Sequence, residues 1–207
     1  MATGWHRSHS SGPVAPQTGD DPGRPDAPGG CGASEVAGPP EPVVEIRPIE
    51  PADAEALVRF HVGLSMEATR LRYFNPHPRL TPREVEHLTT VDHHTREALV
   101  AIHDGELIGV ARFERLEPGT DAEVAFVVAD RWQGHGIATL LLRRIVDRAR
   151  AEGVGRLVAD TLTENHPMIG VFEHSGMSVT RSFDDGVMHY ELGFDEPPAG
   201  TIDQRDP

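Results

Sequence analysis

A mixed α/β sheet flanked by helices is the fold class the sequence predicts, for a domain spanning residues 43–193 of the 207. Three observations predict it. Strand-like and helix-like segments follow in the order strand, helices, three strands, helix, strand, helix, two strands, a mixture that covers a sheet with helices. A nearly continuous apolar strand, Ala122 to Ala129, runs straight into a long amphipathic helix. The flanks have a different composition: residues 1–42 hold eight prolines and eight glycines, with Trp5 as their only aromatic. Such a stretch buries too little apolar surface to offset its ordering entropy, so a disordered leader is expected there. Residues 194–207, with Pro197, Pro198 and Gly200, read as a flexible tail.

Within the domain each element has a local cause. Val43 to Arg47 reads as a strand stopped by Pro48. Pro51 opens a helix with Ala56, Leu57, Phe60 and Leu64 at helical spacing, and Ser65 to Phe74 continues as a second short helix ending near Asn75-Pro76. Thr81-Pro82-Arg83-Glu84 is a capping box with proline in the first turn. Ala98 to Ile102 and Leu107 to Arg115 are strands joined by the turn His103-Asp104-Gly105-Glu106. Pro118-Gly119 turns the chain into the apolar strand 122–129, expected to be central and buried. The helix from Gly134 to Glu152 buries a stripe of Ile137, Leu140, Leu141, Ile145 and Ala149, and Gly153 ends it. Arg143, Arg144, Asp147 and Arg148 are expected on its wet face. A strand over Arg156 to Thr161, a helix from Asn165 to His174, and strands at Ser178–Phe183 and Val187–Leu192 close the domain.

Composition removes several functions. A net charge of -14 disfavours nucleic acid and suits a cationic partner. No apolar run spans a bilayer, and the N-terminus has neither the basic start nor the apolar core of a secretory signal, so no membrane association and a cytoplasmic protein are expected. The single cysteine, Cys31, excludes an internal disulfide and a cysteine-based zinc site. His87, His93 and His94 lie close together without a His-Glu-x-x-His pattern, so they read as exposed loop residues and no metal is expected. All 19 basic residues are arginine.

The chemistry concentrates between strand 122–129 and the long helix, in Arg131-Trp132-Gln133-Gly134-His135-Gly136-Ile137-Ala138. A helix N-terminus carries unsatisfied N–H groups and partial positive charge, and glycines let a ligand approach that backbone, so a pyrophosphate fits. A P-loop needs a lysine that this chain lacks. A dinucleotide fingerprint needs a third glycine where Thr139 stands, and an early position in a βαβ unit, whereas three strands precede the one that leads into this loop.

The surviving pattern, Arg/Gln-x-x-Gly-x-Gly/Ala, resembles the signature of the GNAT superfamily of N-acetyltransferases, as does the element order from Val43 to Leu192. Asn165 at the start of the penultimate helix and Phe172-Glu173-His174-Ser175-Gly176-Met177 at its end are similar to further landmarks of that family. Within it, Leu71 to Thr81 and Ala122 to Val128 resemble the catalytic domain of Pat-type bacterial protein lysine acetyltransferases, which modify the active-site lysine of acyl-CoA synthetases. Many of those enzymes carry a fused regulatory domain; no second folded segment is expected within these 207 residues.

The resemblance implies acetyl-CoA as co-substrate, with no metal. Gln133, Gly134, His135, Gly136, Ile137, Ala138 and Thr139 would hold its pyrophosphate. The backbone of Phe126, Val127 and Val128 would pair with the pantetheine amides where the strands part and would face the developing oxyanion. Asn165 would bond the pantetheine arm, and Phe172 would pack near the sulfur. Many relatives have tyrosine at that place to protonate the leaving thiolate; phenylalanine cannot, so no general acid is assigned. Glu123 is the candidate base, because an ammonium must lose a proton before it attacks and partial burial in an apolar strand would strengthen the carboxylate. The small Ala125 on the same face leaves room for the acyl group or the amine. Selection of the amine is expected around Arg72 to Arg79. The acceptor implied is a lysine of a protein, such as acetyl-CoA synthetase. The alternatives are a small-molecule amine, such as an antibiotic or polyamine, and a non-catalytic acyl-CoA sensor.

Overall fold

In a computed structural model, residues 43–194 are described. The leader expected at residues 1–42, with Cys31, and the tail beyond residue 194 lie outside them. Seven strands make one sheet: β1 (Glu45–Pro48), β2 (Arg96–His103), β3 (Glu106–Arg115), β4 (Asp121–Val128), β5 (Arg156–Leu162), β6 (Ser178–Asp184) and β7 (Val187–Gly193). Their spatial order is β1-β2-β3-β4-β5-β7-β6. Every neighbouring pair is antiparallel except β4 and β5, which are parallel because a helical crossover joins them.

The helices are α1 (Ala54–Val62), α2 (Met66–Tyr73), α3 (Pro82–Thr89), α4 (Ile137–Ala151) and α5 (His166–Glu173). Local chemistry sets their ends. Ser65 caps α2, its hydroxyl accepting from the amide of Ala68, and Thr81 and Glu84 complete the capping box expected for α3. Asn165 caps α5.

Two apolar clusters hold the layers together. One lies under α4 and includes Ile108, Phe113, Leu141, Ile145 and Leu157; the other joins α1 to the opposite face through Leu57, Phe60, Val100 and Val110. At Gly109 on β3 a Cβ would meet Leu141 Cδ1 at 3.2 Å and Ile137 Cγ2 at 3.3 Å, so the absent side chain lets the head of α4 lie close to the sheet.

Three expectations change. The buried stripe of α4 is Ile137, Leu141, Leu142, Ile145, Val146 and Ala149, while Leu140 is only half-buried, because the buried face centres on Leu141 and Ile145. Arg148, expected on the wet face, is half-buried and donates to Glu97 Oε2 at 3.0 Å; Glu97 is fully buried on β2 and also takes the ring of His93 at 2.8 Å. His93 is therefore the counter-group of a buried carboxylate rather than a bystander in a loop, and His94 lies 2.7 Å from Glu152. Among the described residues no helix is long and apolar enough to cross a membrane.

Candidate active site

The parallel pair β4/β5 is registered over only three residues, Asp121 to Glu123 against Arg156 to Val158, although both strands run further. Beyond Glu123 they part. This opening decides the exposure of β4: Ala125, Phe126 and Val127 are half-buried and Glu123 is exposed. The full burial expected of a central strand is not realised, nor is the partial burial expected to strengthen Glu123, because β5 has already diverged where these side chains emerge.

A cavity of about 330 Å³ occupies the opening. Phe126, Val127 and Val128 form one wall. Gln133, Gly134, Gly136, Ile137, Ala138 and Thr139 form its end, at the head of α4, and Asn165 with Pro167, Met168 and Val171 of α5 forms the other wall. The loop is held by its own sequence. Asp130 to Trp132 make one 3-10 turn, and Gln133 Nε2 donates to the carbonyl of Val128 at 3.3 Å. Gly134 and Gly136 both sit at φ +76°, the left-handed region that favours glycine. As a result α4 begins at Ile137, three residues later than its composition suggested.

The polarity of this end suits an anion. Gly136 caps α4 without a side-chain hydrogen bond, and the first turn holds no acidic residue. Among the described residues, the amides of Gly134 to Thr139 donate to no backbone carbonyl. They are the unsatisfied donors of a helix N-terminus, reinforced by its dipole, and a diphosphate fits them.

The remaining candidates divide. His135 is exposed, with its ring Nδ1 turned to within 2.9 Å of the Gln133 carbonyl, and only its backbone belongs to the amide row. Asn165 Oδ1 accepts from the amide of Met168 at 3.3 Å in capping α5. Phe172 is buried, its ring 5.2 Å from Tyr190 and 6.0 Å from Phe126. It lines a smaller cavity of about 70 Å³ rather than the larger one, and shares that cavity with Glu123, Phe126 and Asn165. Phe126 and Asn165 line both, so the cavity that Glu123 faces adjoins the one at the amide row.

The sequence places Trp132 only within the loop and Arg72 only within the segment expected to select the amine. Trp132 lines the larger cavity from the loop itself. Arg72 of α2 lines both cavities, and α2 is fixed over them because Asp130 accepts from the amide and hydroxyl of Ser65. The segment 74–81 beyond it is anchored by His61, whose Nε2 donates to the carbonyl of His77 at 2.7 Å. Burial pushes the Arg72 guanidinium below its usual range, against the opposing charges of Tyr73 and Glu123. Arg112 on β3 is pushed down to about 10, by burial first and then by the charge of Arg72.

This arrangement has counterparts. The profile of the acetyltransferase (GNAT) family matches residues 65–177, which run from the cap of α2 through the amide row to the end of α5. The chain is 39% identical to the GNAT domain of PAT from S. lividans, with a TM-score of 0.69, covering 73% of this chain and 90% of that one. It is 34% identical to the acetyltransferase Pat of Mycolicibacterium smegmatis over 160 residues, 76% of this chain and 47% of that protein. It is 29% identical to the mycothiol acetyltransferase of Brachybacterium faecium over 161 residues, 72% of this chain and 46% of that protein. The matched chain thus spans about half the length of these two relatives.

Proposed function

The chain belongs to the GNAT acetyltransferase family, and we propose that it moves an acetyl group from acetyl-CoA to a lysine of a protein, such as an acyl-CoA synthetase. Support for the reading comes above all from one feature: the amide row at the head of α4 opens into a cavity that adjoins the one Glu123 lines where β4 and β5 part. The protein-lysine acceptor is supported by the likeness to the GNAT domain of PAT over 90% of that domain.

Acetyl-CoA supplies the thioester, whose C–S bond breaks as the amine nitrogen forms the new N–C bond. The chain's own groups do the rest. The amides of Gly134 to Thr139 hold the diphosphate, and the parted edge of β4 at Phe126 to Val128 offers backbone groups to the pantetheine arm. Donors on that edge face the charge that develops on the carbonyl oxygen. Glu123 takes the ammonium proton, directly or through water admitted by the opening. The sulfur leaves as thiolate, the nitrogen gives up its second proton to solvent, and the thiolate takes a proton from solvent, since Phe172 has none to give.

Glu123→Gln tests the base. It is expected to lower kcat by about 10²-fold or more, the usual share of a positioned base, and to leave coenzyme affinity unchanged. Full activity in the variant would remove Glu123 from the mechanism. Incubation with labelled acetyl-CoA, an acyl-CoA synthetase and a panel of small amines tests the acceptor; label on free amines alone would transfer the function to a small-molecule substrate.

A further inference from the structure

We propose that Arg72 and Arg112 form a carboxylate subsite in the acceptor channel, so that the amine taken beside Glu123 carries a carboxylate of its own. This rests on the acetyl-transfer reading of the site and narrows its acceptor.

The arginines of this chain are otherwise well partnered where they are half-buried. Asp53 holds Arg47, Glu67 and Glu164 hold Arg70, Glu97 holds Arg148, and Asp121 with Glu191 holds Arg156. Arg96 donates to the carbonyl of Thr90 and Arg115 to that of Glu152. Among the described residues only Arg72 and Arg112 are half-buried with neither a carboxylate within ion-pair distance nor a hydrogen-bond acceptor; Arg72 lies 5.0 Å from the centre of the Tyr73 ring. Withdrawing a cation from water is costly unless something offsets it, and two like charges facing one space compound that cost. Their lowered basicity is the same cost seen from the proton's side.

Sheet register places the pair relative to the base. Glu114 of β3 is opposite Glu123, Arg112 is opposite Ala125, and Val110 is opposite Val127. All six side chains share one face, and Arg112 is the diagonal neighbour of Glu123, about 7–8 Å away. Opposite Arg112 stands only the methyl of Ala125, so the guanidinium is not covered from β4. A cavity of about 30 Å³ has Arg72, Arg112, Tyr73 and His61 as its polar lining, and apolar side chains of the core make up the rest of its wall. At about 10–15 Å³ per water, it takes one carboxylate or about two waters. The acids facing this region have other partners or positions: Glu84 is held by Thr81 and His77, and Glu114 lies toward Arg96 and His87.

The ligand chemistry follows. Guanidinium forks match the two oxygens of a carboxylate. Arg112 lies outside the cavity at the amide row, which Arg72 borders, so the diphosphate is not the partner that the two share. The donors facing the developing oxyanion are already supplied by β4. What is left to neutralise the pair is the acceptor.

Matched acceptors test this: one lysine peptide with Glu or Gln beside the lysine, and δ-aminovalerate against pentylamine, each with wild type, Arg112→Met and Arg112→Lys. The carboxylate member of each pair is expected to have kcat/KM about 10-fold higher or more, the worth of a hydrogen bond to a charged group. Arg112→Met brings the ratio close to unity, and Arg112→Lys keeps part of it. Calorimetric titration with CoA checks that the variants remain folded. Equal kcat/KM within both pairs in the wild type overturns the subsite, whatever the variants do. A preference for δ-aminovalerate with no peptide acetylated keeps the subsite and removes the protein-lysine reading instead. If no amine is turned over, δ-aminovalerate is titrated into the CoA-loaded protein: binding lost in Arg112→Met supports the subsite, and no binding overturns it.

Discussion

Replacing Gly136 by alanine separates the conformation of the amide row from its function. Gly136 sits at φ +76°, and a Cβ there would meet nothing within 4 Å, so the cost to the free protein is purely that of the backbone. Left-handed backbone costs a residue with a Cβ about 1–2 kcal/mol. For a chain of this size each kcal/mol is worth about 2–4 °C, so a fall in Tm of about 2–8 °C is expected. If the loop relaxes to negative φ instead, the amides of Gly136 and Ile137 swing away from their common direction. Each lost hydrogen bond to a charged phosphate is worth about 1.5–3 kcal/mol, which is about 10–100-fold in the Kd for CoA. Calorimetric titration with CoA and thermal melting measure the two effects separately. Gly136→Asn is the control, since asparagine enters the left-handed region more easily; it should recover much of the Tm. Gly136→Ala protein that melts at the wild-type temperature, its loop relaxed to negative φ, and yet binds CoA with wild-type Kd would refute the assignment of these amides to the diphosphate.

Two further perturbations probe the frame around the site. Arg148→Ala leaves the fully buried Glu97 with only His93 and the Ala98 amide, and breaking such a pair costs about 3 kcal/mol; Tm should fall by about 6–12 °C, with CoA affinity unchanged, and an unaltered Tm would mean that the ion pair contributes nothing net. Asp53 accepts from both Arg47 amino groups at 2.7 Å, and these bonds hold its carboxyl below the usual range. A depressed folded-state value gives stability that is present above the unfolded value, about 3.9, and is lost as pH falls below it. Asp53→Asn should therefore lower the urea midpoint at neutral pH and flatten its decline below about pH 4; a decline as steep as wild type would assign the acid sensitivity to other carboxyls.

The elements were legible because each is punctuated within its own few residues. Thr81, Pro82 and Glu84 announce α3, Gly153 at φ +73° ends α4, and Asp185-Gly186, both at positive φ, turn β6 into β7. The amide row was legible for the same reason: it is one contiguous stretch whose donors are backbone. What composition could not convey was how far β4 and β5 run together. Three registered pairs rather than seven or eight decide that Glu123 is exposed and that Phe126 and Val127 border a cavity, and that number depends on where the crossover through α4 delivers β5. Nor could spacing reveal Arg72 and Arg112 as a pair. They lie on a helix and a strand 40 positions apart, brought together by a serine–aspartate link from Ser65 to Asp130 and by the register of β3 on β4.

Charge gives these parts a common logic. In a chain with a net charge of -14 and no lysine, the groups proposed to hold a polyanionic coenzyme are uncharged amides and a helix dipole rather than side-chain cations. Arg131, the one cation in the loop, is occupied by Glu106 and lines a neighbouring groove instead. On that reading the diphosphate needs no arginine, and of the two half-buried guanidiniums without a partner among the described residues Arg112 stands outside the cavity at the amide row while Arg72 borders it. Amides recognise a phosphate by position and can be supplied wherever a helix begins. Paired guanidiniums recognise a carboxylate by shape, and they discriminate by leaving a buried charge unmatched when the wrong acceptor enters. An acceptor lacking a carboxylate would thus be disfavoured by the desolvated arginines themselves, whatever contacts it made elsewhere in the channel.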